Sequence, residues 1–304
     1  MKILLTGATG FVGKTLESFN SVQFRCVIRK DKNHFFSDFF LIDNLNSSTN
    51  WNGAFVDCNA VIHLAGLAHS KLYISDDYQA VNVDGTLHLA SEAAKAGVKR
   101  FVFVSSIGVN GSSTRDSPFG LNSALQPHNN YAQSKCKAEL GLKKIAEETG
   151  LEVVIVRPTL VYGANAPGNF GSLTKLVKIL PILPFGLANN KRNFIAVQNL
   201  ADLLLTCAKH QNAAGHTFLA SDGETVSIKA FTNAIAKGLN KHLIQLPIPT
   251  SFIRFSGRLM RKSVMIEQLL SDLEVDSSNA HEVLGWVPPY TMEQAMASLS
   301  GNKK

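Results

Sequence analysis

The chain has 304 residues, of which 45% are hydrophobic and only 17% charged, a balance that excludes wholesale disorder and suits one large α/β domain with an appended lobe. A net charge of +7 favours anionic partners such as a nucleotide diphosphate, while the scattering of the 30 Lys and Arg residues argues against a nucleic-acid-binding tail. Cys26, Cys58, Cys136 and Cys207 form no C-x-x-C pair, and a chain this long needs no disulfide staples, so a reducing, cytoplasmic setting is expected, with neither a signal peptide (the apolar start breaks at Gly7) nor a membrane span.

The N-terminal segment Met1-Lys-Ile-Leu-Leu-Thr-Gly-Ala-Thr-Gly-Phe-Val-Gly13 is an apolar run followed by glycines three apart. It reads as a buried strand over Lys2–Thr6, a tight turn, and a helix from Gly13 to Phe19. Gly7 would make the turn, Gly10 would let the backbone approach a pyrophosphate, and Gly13 would let helix and strand pack closely. The helix start would offer its N–H groups, at Phe11 and Val12, to negative charge. Glycine-rich turns also occur for steric reasons alone, so the dinucleotide reading depends on the rest of the chain. The next strand, Phe24–Ile28, runs into Arg29-Lys30. A carboxylate at this place would bind the ribose hydroxyls of NAD, whereas a basic pair suits the 2′-phosphate of NADP. NADP is therefore favoured over NAD, the plain alternative being a solvated basic loop.

Ala60–Leu64, Phe101–Ser105 and Val153–Arg157 read as further strands, with helices over Asp77–Ala96 and Tyr131–Glu148. Strand and helix in alternation predict an α/β fold with a Rossmann-type doubly wound parallel sheet. After Arg157-Pro158 the pattern loosens into Pro-rich junctions and short helices such as Ile228–Leu239. The expected organisation is an NAD(P)-binding Rossmann domain over residues 1–165. Residues 166–304 would form mainly a smaller C-terminal substrate-binding lobe, with some segments returning to the Rossmann domain. No amphipathic membrane anchor is evident.

Tyr131-Ala-Gln-Ser-Lys135 puts Tyr and Lys on one helix face. A nearby Lys135 ammonium would favour the phenolate and lower the Tyr131 pKa, letting the phenol exchange a proton with a carbonyl or alcohol. Upstream, the strand from Phe101 ends in Ser105-Ser106, at the strand end where open parallel sheets bind ligands, and Ser106 there would hydrogen-bond the same oxygen. Each piece alone occurs by chance in many proteins; the joint pattern points to chemistry. His63 and His69 have no carboxylate or second His at ligand spacing, so they read as structural or substrate-lining and no metal is expected.

Together these motifs resemble the extended short-chain dehydrogenase/reductases, and within them the nucleotide-sugar epimerases and reductases, over nearly the whole chain. Thr6–Gly13 resembles the family's cofactor loop. Ile62-His-Leu-Ala-Gly66 resembles its fourth-strand motif, which implies Leu64, Ala65 and Gly66 at the cofactor. Ala80–Thr86 resembles its helix with a structural Asn, here Asn82. Val104–Gly111 resembles the active-site serine strand, with Ser106 at the reactive hydroxyl. The family usually ends that motif in Tyr-Gly, where this chain has Asn110-Gly111. Val156–Gly163, including Pro158, resembles the segment beside the nicotinamide.

The resemblance implies a mechanism. Tyr131 is the general acid/base, Lys135 lowers its pKa and holds the nicotinamide ribose, Ser106 orients the substrate oxygen, and hydride passes between substrate carbon and nicotinamide. It further implies Asp43 at the adenine amino group, Asn169 on a nucleotide diphosphate, and Arg192 on the substrate phosphate or ribose. A second phosphate-binding Arg of relatives has no counterpart at Ile266 or Leu269, so that clamp is either missing here or supplied by Arg261. A homodimer through Asp77–Ala96 and Tyr131–Glu148 is expected by the same analogy.

The function implied is NAD(P)-dependent hydride transfer at C4 of a nucleotide sugar, UDP-linked, in cell-surface polysaccharide precursor synthesis. It would act as a 4-epimerase or a 4-keto reductase, and Arg29-Lys30 tilts towards the reductase because NADP suits net reduction. One alternative is NADPH-dependent reduction of a non-sugar carbonyl, against which Asn169 and Arg192 argue. The other is a non-catalytic dinucleotide-sensing regulator, against which the intact Tyr131 and Lys135 argue.

Overall fold

The central strands are buried on both faces, which is why they read as unbroken apolar runs rather than as alternation. The computed structural model describes residues 1–68 and 72–301. Its first half runs β1 (Lys2–Thr6), α1 (Phe11–Glu17), β2 (Gln23–Arg29), β3 (Phe39–Ile42), β4 (Ala60–His63), α2 (Ser75–Tyr78), α3 (Gly85–Lys95), β5 (Arg100–Val104), α4 (Asn130–Thr149) and β6 (Glu152–Pro158). The second half runs β7 (Leu160–Tyr162), α5 (Gly168–Ile179), β8 (Ile182–Leu183), β9 (Arg192–Ala196), α6 (Val197–Lys209), β10 (Thr217–Ala220), β11 (Thr225–Val226), α7 (Ile228–Gly238), β12 (Ile244–Gln245), α8 (Thr250–Leu259), α9 (Ser263–Leu270), α10 (Ser278–Leu284) and α11 (Met292–Ala297).

Seven strands form one sheet in the order β3–β2–β1–β4–β5–β6–β10, and every neighbouring pair is parallel. The winding reverses between β1 and β4, the position at which open parallel sheets bind ligands beyond their C-terminal strand ends. Ile3 and Leu5 of β1 point into a core shared with α1 and α6, while Leu4 points into a second core under α3 and α4. The helix expected over Asp77–Ala96 is found, but a π-helical stretch over Gln79–Asp84 separates α2 from α3. That widened turn carries Asn82, and such turns are frequent where a helix serves a site.

A smaller lobe is built from the β11–β9–β7 sheet, the β12–β8 pair and the C-terminal helices. Its core is aromatic: Phe194 stacks on Phe231 with centroids 3.8 Å apart, and Tyr162 meets Phe231 edge-on. Asp222, just after β10, ties this lobe to the main sheet. Its carboxylate accepts from Tyr162 Oη at 2.8 Å, Asn199 Nδ2 at 2.7 Å and the Ala196 amide at 3.1 Å. Among the described residues no helix is long and apolar enough to cross a membrane.

Candidate active site

The loop between β1 and α1 is a cradle that only glycine can line. Gly7 has φ +74°, and a Cβ there would stand 2.9 Å from the Ala65 amide nitrogen. A Cβ at Gly13 would collide with the Gly7 carbonyl oxygen, so strand and helix approach as closely as the sequence predicts. Gly10 precedes α1 without any side-chain cap, and the first turn, from Phe11 through Val12 to Gly13, holds no acidic residue. The N–H groups there are therefore open to an anion.

His63 is fully buried between Thr6 Oγ1 at 2.7 Å and Thr86 Oγ1 at 2.9 Å. Burial pushes its pKa down to about 3, so it is a neutral strut joining β1, β4 and α3. His69 lies outside the described residues.

Asn82 is also fully buried and holds the loop after β4, which contains Leu64, Ala65 and Gly66. Its side chain accepts from the Leu67 amide at 2.7 Å and donates to the Leu67 carbonyl at 3.0 Å and to Ser134 Oγ at 3.0 Å. This clamp brings Gly66 beside Lys135: a Cβ on Gly66 would lie 2.9 Å from Asn82 Oδ1 and 3.5 Å from Lys135 Nζ.

Ser106 and Tyr131 meet at the C-terminal end of β5. Ser106 Oγ accepts from the Gly108 amide at 3.1 Å, and the hydroxyl is near enough to Tyr131 to favour its phenolate. Asn129 caps α4 through the Ala132 amide at 2.8 Å, which fixes the turn that carries Tyr131. Lys135 lies one turn further on. Its ammonium donates to the Val104 carbonyl at 2.9 Å and lies 4.6 Å from the centre of the Phe103 ring. Burial, aided by Tyr78, outweighs the influence of Ser106 and pushes the Tyr131 phenol up to about 12. Lys135 is itself pushed down to about 8 by burial, against the pull of Glu139.

Sequence reasoning missed what lies behind Lys135. Glu139, one turn on in α4, accepts from Arg157 Nε at 2.9 Å and Nη2 at 2.5 Å, and from Ser105 Oγ at 2.5 Å. Arg157 Nη1 donates to Asn110 Oδ1 at 3.1 Å. The residue that departs from the family's Tyr-Gly ending is thus buried in this network. The signal was present as the i, i+4 spacing of Lys135 and Glu139 and as an Arg directly before Pro158 in an apolar strand. Pro158 itself ends β6 in register with Ala220.

At the end of β2, Arg29 and Lys30 are exposed. Lys30 pairs with Asp43 at 2.9 Å and Arg29 with Asp31 at 3.6 Å. Lys30 and Asp43 line an open hollow of about 370 Å³ together with Asn44, Asn46 and Ser48. The hollow holds both the basic pair's lysine and the residue expected at an adenine.

Asn169 is exposed in the first turn of α5 and donates to Gln268 Oε1 at 3.4 Å. Arg192 is half-buried at the start of β9 and donates to the Ser271 carbonyl at 2.7 Å; burial pushes its pKa down to about 10. Asn169 and Arg192 therefore both contact the stretch from Gln268 to Ser271 at the end of α9. Arg261 is exposed on the turn between α8 and α9.

Comparison with known proteins gives the family. Residues 3–221 match the model of the NAD dependent epimerase/dehydratase family. A Vibrio cholerae protein named UDP-glucose 4-epimerase is 37% identical over 99% of this chain and 97% of its own length. The chain belongs to the NAD dependent epimerase/dehydratase family. It is accordingly an NAD(P)-dependent enzyme of the extended short-chain dehydrogenase/reductase type. A more distant relative is an Escherichia coli O157:H7 protein, 25% identical over 97% of this chain and 92% of its own length. That protein is named N-acetyl-alpha-D-glucosaminyl-diphospho-ditrans,octacis-undecaprenol 4-epimerase. Among solved structures, UDP-N-acetylglucosamine 4-epimerase from Bacillus cereus superposes with a TM-score of 0.78 at 20% identity, over 97% of this chain and 96% of that one, which speaks for the fold.

Proposed function

We propose that this family member transfers hydride at C4 of a UDP-linked sugar and that Tyr131, Ser106 and Lys135 perform the proton chemistry. The observation that carries the reading is that the loop after β5 brings Ser106 against the first turn of α4, which carries Tyr131, with Lys135 and Gly66 adjoining each other one turn on. The residues present fit a nicotinamide dinucleotide. Gly7, Gly13 and Gly66 permit close approaches of the loops after β1 and β4 that a Cβ would block, and the start of α1 is uncapped. Gly7, Gly10, Phe11, Val12 and Gly13 would hold the diphosphate, and Leu64–Gly66, Asn82, Lys135 and Pro158 would flank the nicotinamide half. Asp43 would lie at the adenine, and Arg29 with Lys30 would favour NADP over NAD. When bound, the nicotinamide supplies the hydride acceptor and donor.

Tyr131, held protonated, is ready to donate to a C4 carbonyl oxygen, which Ser106 would hold by a second hydrogen bond. Taking a proton from a C4 hydroxyl instead requires the phenolate. Lys135, one helical turn away, is the cation whose approach favours that form. Asn169 and Arg192 would bind the diphosphate, where a guanidinium on an anion is a strong pairing. Release of Arg192 from the Ser271 carbonyl would accompany binding.

The names of the relatives support a 4-epimerase of cell-surface glycan precursors. Arg29-Lys30, with no carboxylate at the end of β2, favours a second reading, an NADPH-dependent 4-keto reductase. Identifying the cofactor released from purified protein, then offering UDP-glucose or UDP-N-acetylglucosamine, and separately a UDP-4-keto-6-deoxy sugar with NADPH, decides between them. Retained NAD with C4-inverted product identifies the epimerase. NADPH consumption only with the keto sugar identifies the reductase. If Arg192→Ala leaves UDP binding unchanged, the nucleotide-sugar assignment loses its support and a non-sugar carbonyl becomes the better candidate.

A further inference from the structure

Helices α8 and α9 form a hairpin on the smaller lobe, pinned where Gly257 meets Ile266. Ile253 and Leu270 point into the lobe's core. The opposite side of α8 is uncovered: Phe252 is 61%, Phe255 63% and Leu259 79% exposed, at i, i+3 and i+7 on one helix face. Met260 and Val264 continue this exposed apolar surface across the turn. Large apolar side chains clustered this way mark an interaction surface rather than an ordinary solvated one.

The charge around this surface is predominantly positive. Arg258, Arg261 and Lys262 are exposed beside it. Between Glu224 and Glu267 the chain has seven Lys or Arg residues and no Asp or Glu. Glu267, the first carboxylate after that stretch, is bonded to Arg254 at 3.1 Å. A second copy of the chain docked here about a two-fold axis would set cations against cations. An apolar row with a cationic border, its nearest carboxylate Glu267 paired with Arg254, is the pattern of a helix that lies in a bilayer interface.

We propose that the α8–α9 hairpin docks on an anionic phospholipid surface. Phe252, Phe255 and Leu259 enter the boundary between headgroups and acyl chains, and Arg258 and Lys262 meet lipid phosphates. The hairpin runs directly into the Gln268–Ser271 stretch that Asn169 and Arg192 contact, so docking brings that cleft to the membrane surface. The docking does not depend on which sugar the enzyme turns over.

The test is co-sedimentation of the purified protein with vesicles of phosphatidylcholine alone or mixed about 3:1 with phosphatidylglycerol, at low salt and at about 0.5 M NaCl. The wild type is expected to pellet with the anionic vesicles at least about tenfold more strongly than with the neutral ones, and to be released by salt. The triple variant F252S/F255S/L259S is expected to lose about tenfold or more in binding while keeping wild-type turnover of soluble substrate and an unchanged thermal midpoint. R258Q/K262Q is expected to weaken binding to the anionic vesicles only. The proposal is overturned if the wild type stays in the supernatant with both vesicles, or if both variants bind as the wild type does. It is also overturned if light scattering shows a wild-type dimer that the triple variant splits, which would assign the face to a second copy.

Discussion

Lys135 Nζ donates to the Val104 carbonyl at 2.9 Å, so the cation that helical spacing would pair with Tyr131 is bonded instead to the strand leading into Ser106. Burial raises the phenol to about 12 and lowers the Lys135 ammonium to about 8.

Tyr131→Phe should therefore lower kcat by about 10²–10⁴ with little change in thermal midpoint, since only a hydroxyl is removed. Lys135→Met should also slow turnover, but its loss should shrink as pH rises and the phenolate forms without help. A pH–rate profile of the two variants checks this; parallel profiles for wild type and Lys135→Met would remove Lys135 from the proton chemistry.

His63 gives a stability prediction with a defined sign. Its folded pKa, about 3, lies below the unfolded value near 6.5. Below about pH 6.5 the unfolded chain takes a proton that the folded one refuses, so its contribution is complete above that pH and is lost as pH falls towards 3. Urea unfolding between pH 7 and 4 should show stability falling for the wild type. The fall should be shallower for His63→Gln relative to its own value at pH 7.

The Arg157–Glu139 pair is buried on both sides, with side chains 4% and 2% exposed. Arg157→Met or Glu139→Gln should each cost on the order of 3–5 kcal/mol by stranding a buried charge. Replacing both by apolar residues should cost less than either single change. A double-mutant cycle measured by urea unfolding provides the check, and additive losses would count against a coupled pair.

Arg29 is held only loosely, 3.6 Å from Asp31. Arg29→Ala with Lys30→Ala should raise the KM for NADPH about tenfold while leaving NADH within about twofold, because only the 2′-phosphate contact is removed. Equal changes for both cofactors would make the basic pair a bystander.

Much of this was legible in the sequence. The strands from Lys2, Phe24, Ala60, Phe101 and Val153 were readable because both faces of each are buried. β3 was not, since Phe39 and Leu41 at the sheet edge are more than a third exposed and the run resembles a loop. β10 is four residues long and lacks a helix of its own in the pattern. Spacing placed Tyr131 and Lys135 on one face, but it could not show what the ammonium bonds to, because Val104 lies 31 residues away in the chain. Nor did the arginine-rich stretch around α8 announce an amphipathic face: that face appears only once Ile253 and Gly257 are seen turned inward.

The most direct test of hydride transfer tracks the hydrogen at C4. UDP-glucose or UDP-N-acetylglucosamine, and a UDP-6-deoxy sugar with NADP⁺, each carrying deuterium at C4, are incubated with the enzyme and the products read by NMR. Hydride chemistry at this carbon predicts that the label is kept, either at C4 of the inverted sugar or on the reduced nicotinamide, and that Tyr131→Phe abolishes the transfer. Loss of the label to solvent, or a label left at an uninverted C4 in every case, would contradict it.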